Sequence, residues 1–282
     1  MSKQPKKKKS GSGSTIALLA ILLIGLSLLL YPTVSDYWNS FTQSRAVATY
    51  AEQLKNLDDT QYDLLWSNAQ AYNYDLAGMP KGMALPESME GRYYEQLAID
   101  DSGMMGLVEI PSIGVNLPIY HGTSDAVLQV AIGHLDWTSL PIGGEGSHCV
   151  ISGHRGLPSA KLFTHLDQVQ EGDVFMLQVL DEVLTYEVDQ ILIVEPHEVE
   201  PLFIDPHEDY CTLVTCTPYG VNSHRLLVRG SRIENLEEAK TIRITADAMQ
   251  IDPMIVAPMV AIPILLVLLV KLMFPKKGKK KG

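Results

Sequence analysis

Apolar residues run almost without interruption near both ends of the chain, and lysines border each run on its outer side. The first run extends from Thr15 to Tyr31, after a segment with five lysines and a Gly/Ser-rich joint. The second extends from Met254 to Phe274 and precedes a tail with five lysines. A membrane-spanning helix needs about 20 apolar residues, with about 17 near the lower limit. We therefore predict two transmembrane helices.

Each run has an alternative interpretation. A secretory signal peptide also has a basic start and an apolar run, but the first run is long for one, and no clear small-x-small cleavage site follows before Tyr37. A buried core helix is the alternative for the second run, and its position beside a lysine tail argues against that. Because lysine-rich flanks mark the cytoplasmic side, we predict a two-pass cell-membrane protein with both termini in the cytoplasm.

Charge is distributed unevenly along the chain. Eleven of the 22 Lys and Arg residues lie in or beside the two tails, whereas all 33 Asp and Glu residues lie between Asp36 and Asp252, so the region between the tails carries a net charge of −22. An acidic body disfavours nucleic acid as a partner. The acidic residues indicate a solvated, extracellular surface.

Between the two apolar runs, the hydrophobic pattern changes from helical to extended. Apolar residues recur at three- and four-residue spacing from about Ser35 to Leu76, with a polar break at 58–60 that offers helix caps. The Met/Gly/Pro-rich segment 76–90 has no period and is predicted to be largely a loop, with a short helix from about Met89 to Leu97. From Gly103 onward, short apolar runs alternate with Gly and Pro, which is typical of an all-β barrel or sandwich. The predicted strands are 106–111, 115–120, 148–152, 174–180, 185–194, 211–217 and 225–233.

The chain has three cysteines, Cys149, Cys211 and Cys216. An odd number in an exported region leaves at least one thiol free. Cys211 and Cys216 are five residues apart on one predicted strand, so their side chains point to opposite faces and cannot form a disulfide with each other. A Cys149–Cys211 disulfide remains open, as does burial of both residues as small hydrophobic side chains.

Cys216 has a predicted neighbour across a hairpin. The strand that contains it is interrupted by Pro-Tyr-Gly at 218–220, and an apolar strand resumes at Arg225. If the hairpin is centred on Gly220 and Val221, directly opposed residues have numbers that sum to 441, and Cys216 faces Arg225. Opposed Cβ atoms lie about 5 Å apart, so a guanidinium stands beside a thiol. This arrangement suits a nucleophile whose reaction develops negative charge on a carbonyl oxygen.

A thiol nucleophile at neutral pH needs a partner, and histidine is the usual one. His154 lies where a predicted strand ends in a Gly-flanked turn, a frequent place for catalytic side chains. His224 is the rival, but on the strand it should point away from the face of its neighbour Arg225. His121, His134 and His148 have spacings that match no compact metal motif, so no metal site is predicted.

Four segments resemble the sortases, and most closely class C, the pilus-specific sortases of Gram-positive bacteria. They are Thr-Leu-Val-Thr-Cys-Thr-Pro-Tyr-Gly at 212–220 with His-Arg-Leu-Leu-Val-Arg-Gly at 224–230, Ile-Ser-Gly-His-Arg-Gly-Leu-Pro at 151–158, Thr-Ser-Leu-Pro-Ile-Gly-Gly at 138–144, and Leu-Pro-Ile-Tyr-His-Gly-Thr-Ser at 117–124. The resemblance extends from Met105 to Ile233. It implies a closed sortase-type β-barrel in a mainly β fold, preceded by N-terminal helices and a lid-like loop.

On this resemblance, His154, Cys216 and Arg225 match the catalytic triad of a cysteine transpeptidase, with no cofactor and no metal. The implied enzyme cleaves an LPXTG-like sorting motif between Thr and Gly, forms a thioacyl intermediate on Cys216, and transfers it to a pilin lysine. The predicted organisation is a cytoplasmic basic tail (1–14), a transmembrane helix (15–31), a helical segment (32–102) with the lid-like loop (76–90), the catalytic barrel (103–233), a juxtamembrane segment (234–253), a transmembrane helix (254–274) and a second basic tail (275–282).

Three alternatives and one departure accompany this interpretation. The enzyme could instead anchor surface proteins to peptidoglycan, or the barrel could be a non-catalytic membrane scaffold; Arg225 could instead pair with a barrel carboxylate. The departure is in the loop 76–90, which lacks the Asp-Pro-aromatic triplet found in many class C lids. We expect either a lid that covers the cleft with Met79 or Met83, or an ordinary flexible linker. The predicted partners are pilin or surface proteins with a C-terminal sorting signal, and the lipid bilayer.

Overall fold

The computed structural model describes residues 12–82, 84–85 and 87–235. The described residues divide into two units, 12–37 and 38–235. The predicted second apolar run and most of the juxtamembrane segment lie outside the described residues. The predicted first span is the beginning of a longer helix, α1 (Ser12–Asn56), which continues past Tyr31. Within the described residues, α1 is the one helix long and apolar enough to cross a membrane.

Three further helices follow, namely α2 (Asp59–Ala77), α3 (Glu87–Tyr93) and the short α4 (Asp125–Leu128). The predicted break between α1 and α2 is present, and Asp58 caps α2. Its carboxylate accepts the backbone N–H of Gln61, whose side chain in turn accepts the N–H of Asp58. This reciprocal capping satisfies backbone donors that the first turn of a helix leaves unpaired.

Eight strands form the barrel. Seven correspond to predicted strands, and the three-residue strand β3 was not predicted because so short a segment carries no measurable alternation. Their bounds are β1 (Met104–Ile110), β2 (Val115–His121), β3 (Ile132–His134), β4 (Ser147–Ser152), β5 (Val174–Val179), β6 (Glu182–Val194), β7 (Asp209–Thr217) and β8 (His224–Ile233).

The sheet closes on itself in the order β1-β2-β3-β4-β7-β8-β6-β5, which confirms the predicted closed β-barrel. Most neighbouring strands are antiparallel, but β2 pairs with β3 and β4 pairs with β7 in parallel. The barrel interior is filled by one apolar cluster contributed by all eight strands, with Phe175, Tyr186, Ile151 and Leu213 among its fully buried members. Close packing of these branched and aromatic side chains holds the strands at fixed registers.

The helical region packs against the outside of the barrel. Tyr72 of α2 and Tyr93 of α3 are fully buried in a second apolar cluster that includes Met105 and Val179 from the barrel strands. Tyr50 of α1 donates its hydroxyl to the carbonyl of Met105 and accepts the N–H of Leu180. These contacts make the helices from Tyr50 onward part of the barrel's hydrophobic structure.

Candidate active site

The hairpin of β7 and β8 has the predicted register. Cys216 is paired with Arg225, and every pair along the hairpin sums to 441. The turn is closed by the carbonyl of Pro218, which accepts the N–H groups of Val221 and Asn222. Gly220 and Asn222 have left-handed backbone conformations, with φ of 74° and 61°, which Gly and Asn adopt most readily. The local turn chemistry therefore brings the thiol and the guanidinium to neighbouring positions.

The parallel pairing of β4 with β7 sets the position of His154 relative to Cys216. Residues paired between these strands differ by 62 in number, as in Ser152 with Val214. The pairing continues past the end of β4, since Gly153 donates its N–H to Val214 at 3.0 Å and accepts the Thr215 hydroxyl at 2.7 Å. Extended by two residues past the last pair, the same offset sets His154 opposite Cys216. Arg225 is paired with Cys216 on its other side, so the registers of three chain segments align the three predicted residues in what we call the row.

This row lies at the end of an apolar strip on the outer face of the barrel. Along β7, Leu213 belongs to the interior cluster and Val214 to a separate outer cluster, so the even-numbered residues of this stretch face outward. Cys216 shares this parity and is half-buried. The outer cluster also contains Val150, Leu227 and Leu202, the last from the connection between β6 and β7. All four side chains are buried, at 7% exposure or less, so the strip is a packed apolar layer on the Cys216 side of the strand.

The Arg225 guanidinium is held by its own turn. Its Nη1 donates to the carbonyl of His224 at 3.1 Å and more weakly to that of Asn222 at 3.4 Å. Within the described residues it has no carboxylate partner, so the alternative of an ion pair with a barrel carboxylate is not realised there. A cation without a counter-ion beside a nucleophile is free to bind developing negative charge.

The rival histidine, His224, pairs with Thr217 and not with Cys216. Its Nδ1 lies 2.8 Å from the hydroxyl of the adjacent Ser223. Strand alternation therefore separates His224 from the thiol, as predicted, and leaves His154 as the histidine on the Cys216 row.

The other candidate histidines have separate structural partners. His121 lies between the carbonyls of Gly103 and Gln96, and burial lowers its pKa. His134 contacts the Tyr93 hydroxyl through Nδ1 and the Ser139 carbonyl through Nε2.

His148 donates from Nδ1 to the Phe203 carbonyl, and its Nε2 accepts the Thr212 hydroxyl. Burial lowers the pKa of His148 to about 4. Its imidazole therefore connects the β6–β7 connection to the outer strip.

Cys149 and Cys211 are buried in the barrel interior and directly paired between β4 and β7. Both are free thiols, as is Cys216. Of the three cysteines, Cys216 alone is not fully buried, which distinguishes it from the two that pack as small hydrophobic residues.

The described part of the lid-like loop lies near Ser147, at the end of β4 away from Ser152. Lys81 donates to the Ile204 carbonyl and sits over the Phe203 ring, while Met79 packs against the α2–α3 cluster. Met83 lies outside the described residues. Part of this loop borders a cavity of about 480 Å³ that is also lined by Trp137, Ser147 and Leu202. At about 3.3 Å per residue, Ser147 is about 23 Å along the strand direction from His154.

Sequence reasoning missed the residues that hold the row together, above all Thr215, Thr217 and Arg155. Arg155 donates to the Thr217 hydroxyl at 3.2 Å, again at an offset of 62. These contacts can be recognised only when the register of β4 and its extension against β7 is known.

Comparison with known proteins agrees with the geometry. The model of the sortase domain matches residues 108–233. The crystal structure of sortase C1 from Streptococcus agalactiae is 46% identical, with a TM-score of 0.66, and the match covers 68% of this chain and all of that one. Sortase C from Clostridium perfringens, solved with the C-terminal cell wall sorting motif, is 43% identical, with 68% of this chain and 99% of that chain covered and a TM-score of 0.60. Sortase D of Bacillus subtilis (strain 168) is 28% identical over 45% of this chain and 63% of its own length.

A closed eight-stranded barrel with these relatives defines a cysteine transpeptidase of the sortase type. The chain belongs to the sortase family, and its solved relatives place it with the class C, pilus-specific sortases.

Proposed function

We propose that this protein is a membrane-anchored transpeptidase that polymerises pilin subunits, with Cys216 as nucleophile, His154 as general acid and base, and Arg225 as the oxyanion-binding residue. The observation that supports the proposal is a pair of strand registers: β8 pairs Arg225 with Cys216, and the β4–β7 offset, extended past Ser152, sets His154 opposite Cys216. A nucleophile flanked by a proton carrier and an uncompensated cation meets the requirements of acyl transfer.

In the first half-reaction, the Cys216 thiolate attacks the threonine carbonyl carbon of an LPXTG-like motif. The Thr–Gly C–N bond breaks, and His154 gives its proton to the departing glycine amine, which leaves a thioester on Cys216. In the second, His154 takes a proton from a pilin lysine amine as that amine attacks the thioester. The C–S bond breaks, the thiolate is regenerated and an isopeptide bond forms. The Arg225 guanidinium stabilises the negative oxygen in both tetrahedral intermediates.

The substrate class is inferred from the relatives. The Clostridium perfringens relative was solved with a C-terminal cell wall sorting motif. We infer that pilins carrying such a signal are the substrates here.

Membrane attachment is proposed from the chain ends. The start of α1 is apolar enough to span a bilayer, and lysine clusters border both apolar runs of the sequence. With both termini in the cytoplasm, the barrel lies outside the membrane, where sorting signals of exported pilins are available.

The test is intact-mass analysis of the detergent-solubilised full-length protein mixed with an LPXTG-type peptide. We expect an adduct equal to the peptide up to its threonine, absent in Cys216→Ala. Acylation should slow by about 100-fold or more in His154→Ala and remain near wild type in the matched control His224→Ala. Failure of the folded wild-type protein to form the adduct would contradict the proposal.

The acceptor is identified in a second step. Adding a pilin domain with its lysine should convert the adduct to a peptide–pilin isopeptide product faster than a peptidoglycan-derived amine does. The reverse preference would favour the cell-wall anchoring function over pilus polymerisation.

A further inference from the structure

The segment that carries His154 ends β4 and is no longer part of the sheet, so its alignment with Cys216 depends on a few specific contacts. On one side of the pair, the Thr215 hydroxyl donates to the Gly153 carbonyl. On the other side, Arg155 Nη1 donates to the Thr217 hydroxyl. His154 and Cys216 are the residues between these two contacts, one on each chain segment.

Arg155 is buried in a way that fixes its guanidinium. Its side chain is 10% exposed, and Nη2 lies 2.5 Å from the Asp167 carboxylate, on a short 3-10 turn formed by Leu166–Gln168. Its guanidinium carbon lies 5.9 Å from the centre of the Tyr219 ring. A desolvated arginine is stable only with a counter-ion and with hydrogen-bond acceptors for its N–H groups. The side chain therefore joins the His154 segment, the Asp167 turn and the end of β7.

The position of Arg155 relative to the reacting face separates it from the catalytic row. Thr217 follows Cys216 on β7, so by strand alternation its side chain points to the opposite face from the thiol. The Arg155 guanidinium that donates to this hydroxyl lies on that side too, which favours a role through its neighbours over contact with the substrate. The planar guanidinium can serve the carboxylate and the hydroxyl with separate N–H groups, which an ammonium group does less well.

We propose that Arg155 is a positioning residue that holds His154 in line with Cys216 by bridging Asp167 and Thr217. The inference rests on the proposed catalytic roles of His154 and Cys216, and it adds to them a charged clamp behind the reacting pair. Loss of the clamp leaves the pairing of Cys216 with Arg225 in place but lets the imidazole move away from the thiol, and small displacements of reacting groups are costly in rate.

The first test is Arg155→Lys in the full-length protein. We expect kcat for peptide cleavage to fall by about 10-fold or more while KM stays near the wild-type value, since Arg155 acts on the alignment of the reacting groups and not on peptide binding. The pH profile of Cys216 alkylation by iodoacetamide should shift towards that of His154→Gln, because a displaced imidazole affects the reactivity of the thiol as a missing one does. The matched control is Arg232→Lys, on β8 at the end away from the row. It should retain the wild-type kcat and KM.

A second pair of variants isolates the hydroxyl contact. Thr217→Val removes the acceptor for Arg155 and should lower kcat. Thr217→Ser keeps the hydroxyl and should lower kcat clearly less. Combining Thr217→Val with Arg155→Lys should cost less than the product of the two single effects, since both break the same contact.

The proposal is overturned if Arg155→Lys keeps the wild-type kcat and alkylation profile. It is also overturned if kcat falls only in proportion to the unfolded fraction, measured by circular dichroism, while the alkylation profile of the folded protein is unchanged. Alkylation needs Cys216 but no peptide. A wild-type protein that forms no thioester would therefore count against the proposed function, while the alkylation comparison would still decide the role of Arg155.

Discussion

Acid should destabilise the folded barrel through His148, and the size of the effect follows from its environment. The ring is 1% exposed, and a carbonyl and a hydroxyl occupy its two nitrogens. Since the Phe203 carbonyl can only accept, Nδ1 carries the proton and Nε2 accepts from Thr212, which is a neutral imidazole. The charged groups that face it are Arg229, which opposes protonation, and Asp189, which favours it, and burial is the larger cause of the lowered pKa.

The sign and magnitude of this loss of stability follow from the difference in proton binding between the folded and unfolded states. In the unfolded chain His148 takes up a proton near pH 6.5, whereas in the folded protein its pKa is about 4. The unfolded state therefore binds more protons between these values, and stability is lost as pH falls through that window. At pH 5 the loss from this one group is about 2 kcal/mol relative to pH 7.5, at about 1.4 kcal/mol per pKa unit.

The assay is urea unfolding of the full-length protein in detergent, followed by intrinsic fluorescence at pH 7.5 and pH 5. The comparison protein is His148→Gln, whose amide does not titrate and can donate and accept like the imidazole. Wild type should lose about 2 kcal/mol more of its unfolding free energy than His148→Gln between the two pH values, because all other titrating groups are shared. An equal loss in the two proteins, within about 0.5 kcal/mol, would refute the reasoning.

Two further predictions concern packing. Gly153→Ala places a methyl carbon 2.5 Å from the Ile132 side chain, so it should destabilise the fold by about 1–3 kcal/mol and reduce peptide cleavage. The control is Gly91→Ala, whose methyl group meets nothing within 4 Å. It should leave the urea midpoint unchanged or raised. Tyr50→Phe removes the hydroxyl that accepts the buried N–H of Leu180 and should cost about 1–3 kcal/mol in the same unfolding assay; an unchanged midpoint would mean that this contact does not secure α1 to the barrel.

The sequence by itself determined the elements and the hairpin. Seven of the eight strands carry enough alternation and Gly/Pro punctuation to be recognised, and the break at Asp58 is visible from its polar residues. The pairing of Cys216 with Arg225 follows from the turn between them, because a short antiparallel connection fixes the register of the strands it joins. Strand alternation likewise separates His224 from the thiol.

Only the tertiary structure decided how His154 joins this pair. β4 and β7 are parallel, and the connection between them contains two other strands, so no local turn sets their register. Their offset of 62 is fixed by packing inside the closed barrel, where Cys149 and Cys211 are buried side by side. The same long-range pairing places Arg155 against Thr217. Local geometry thus specifies one half of the candidate site, and the other half appears only when the barrel closes, because non-local contacts depend on the packing of the whole core.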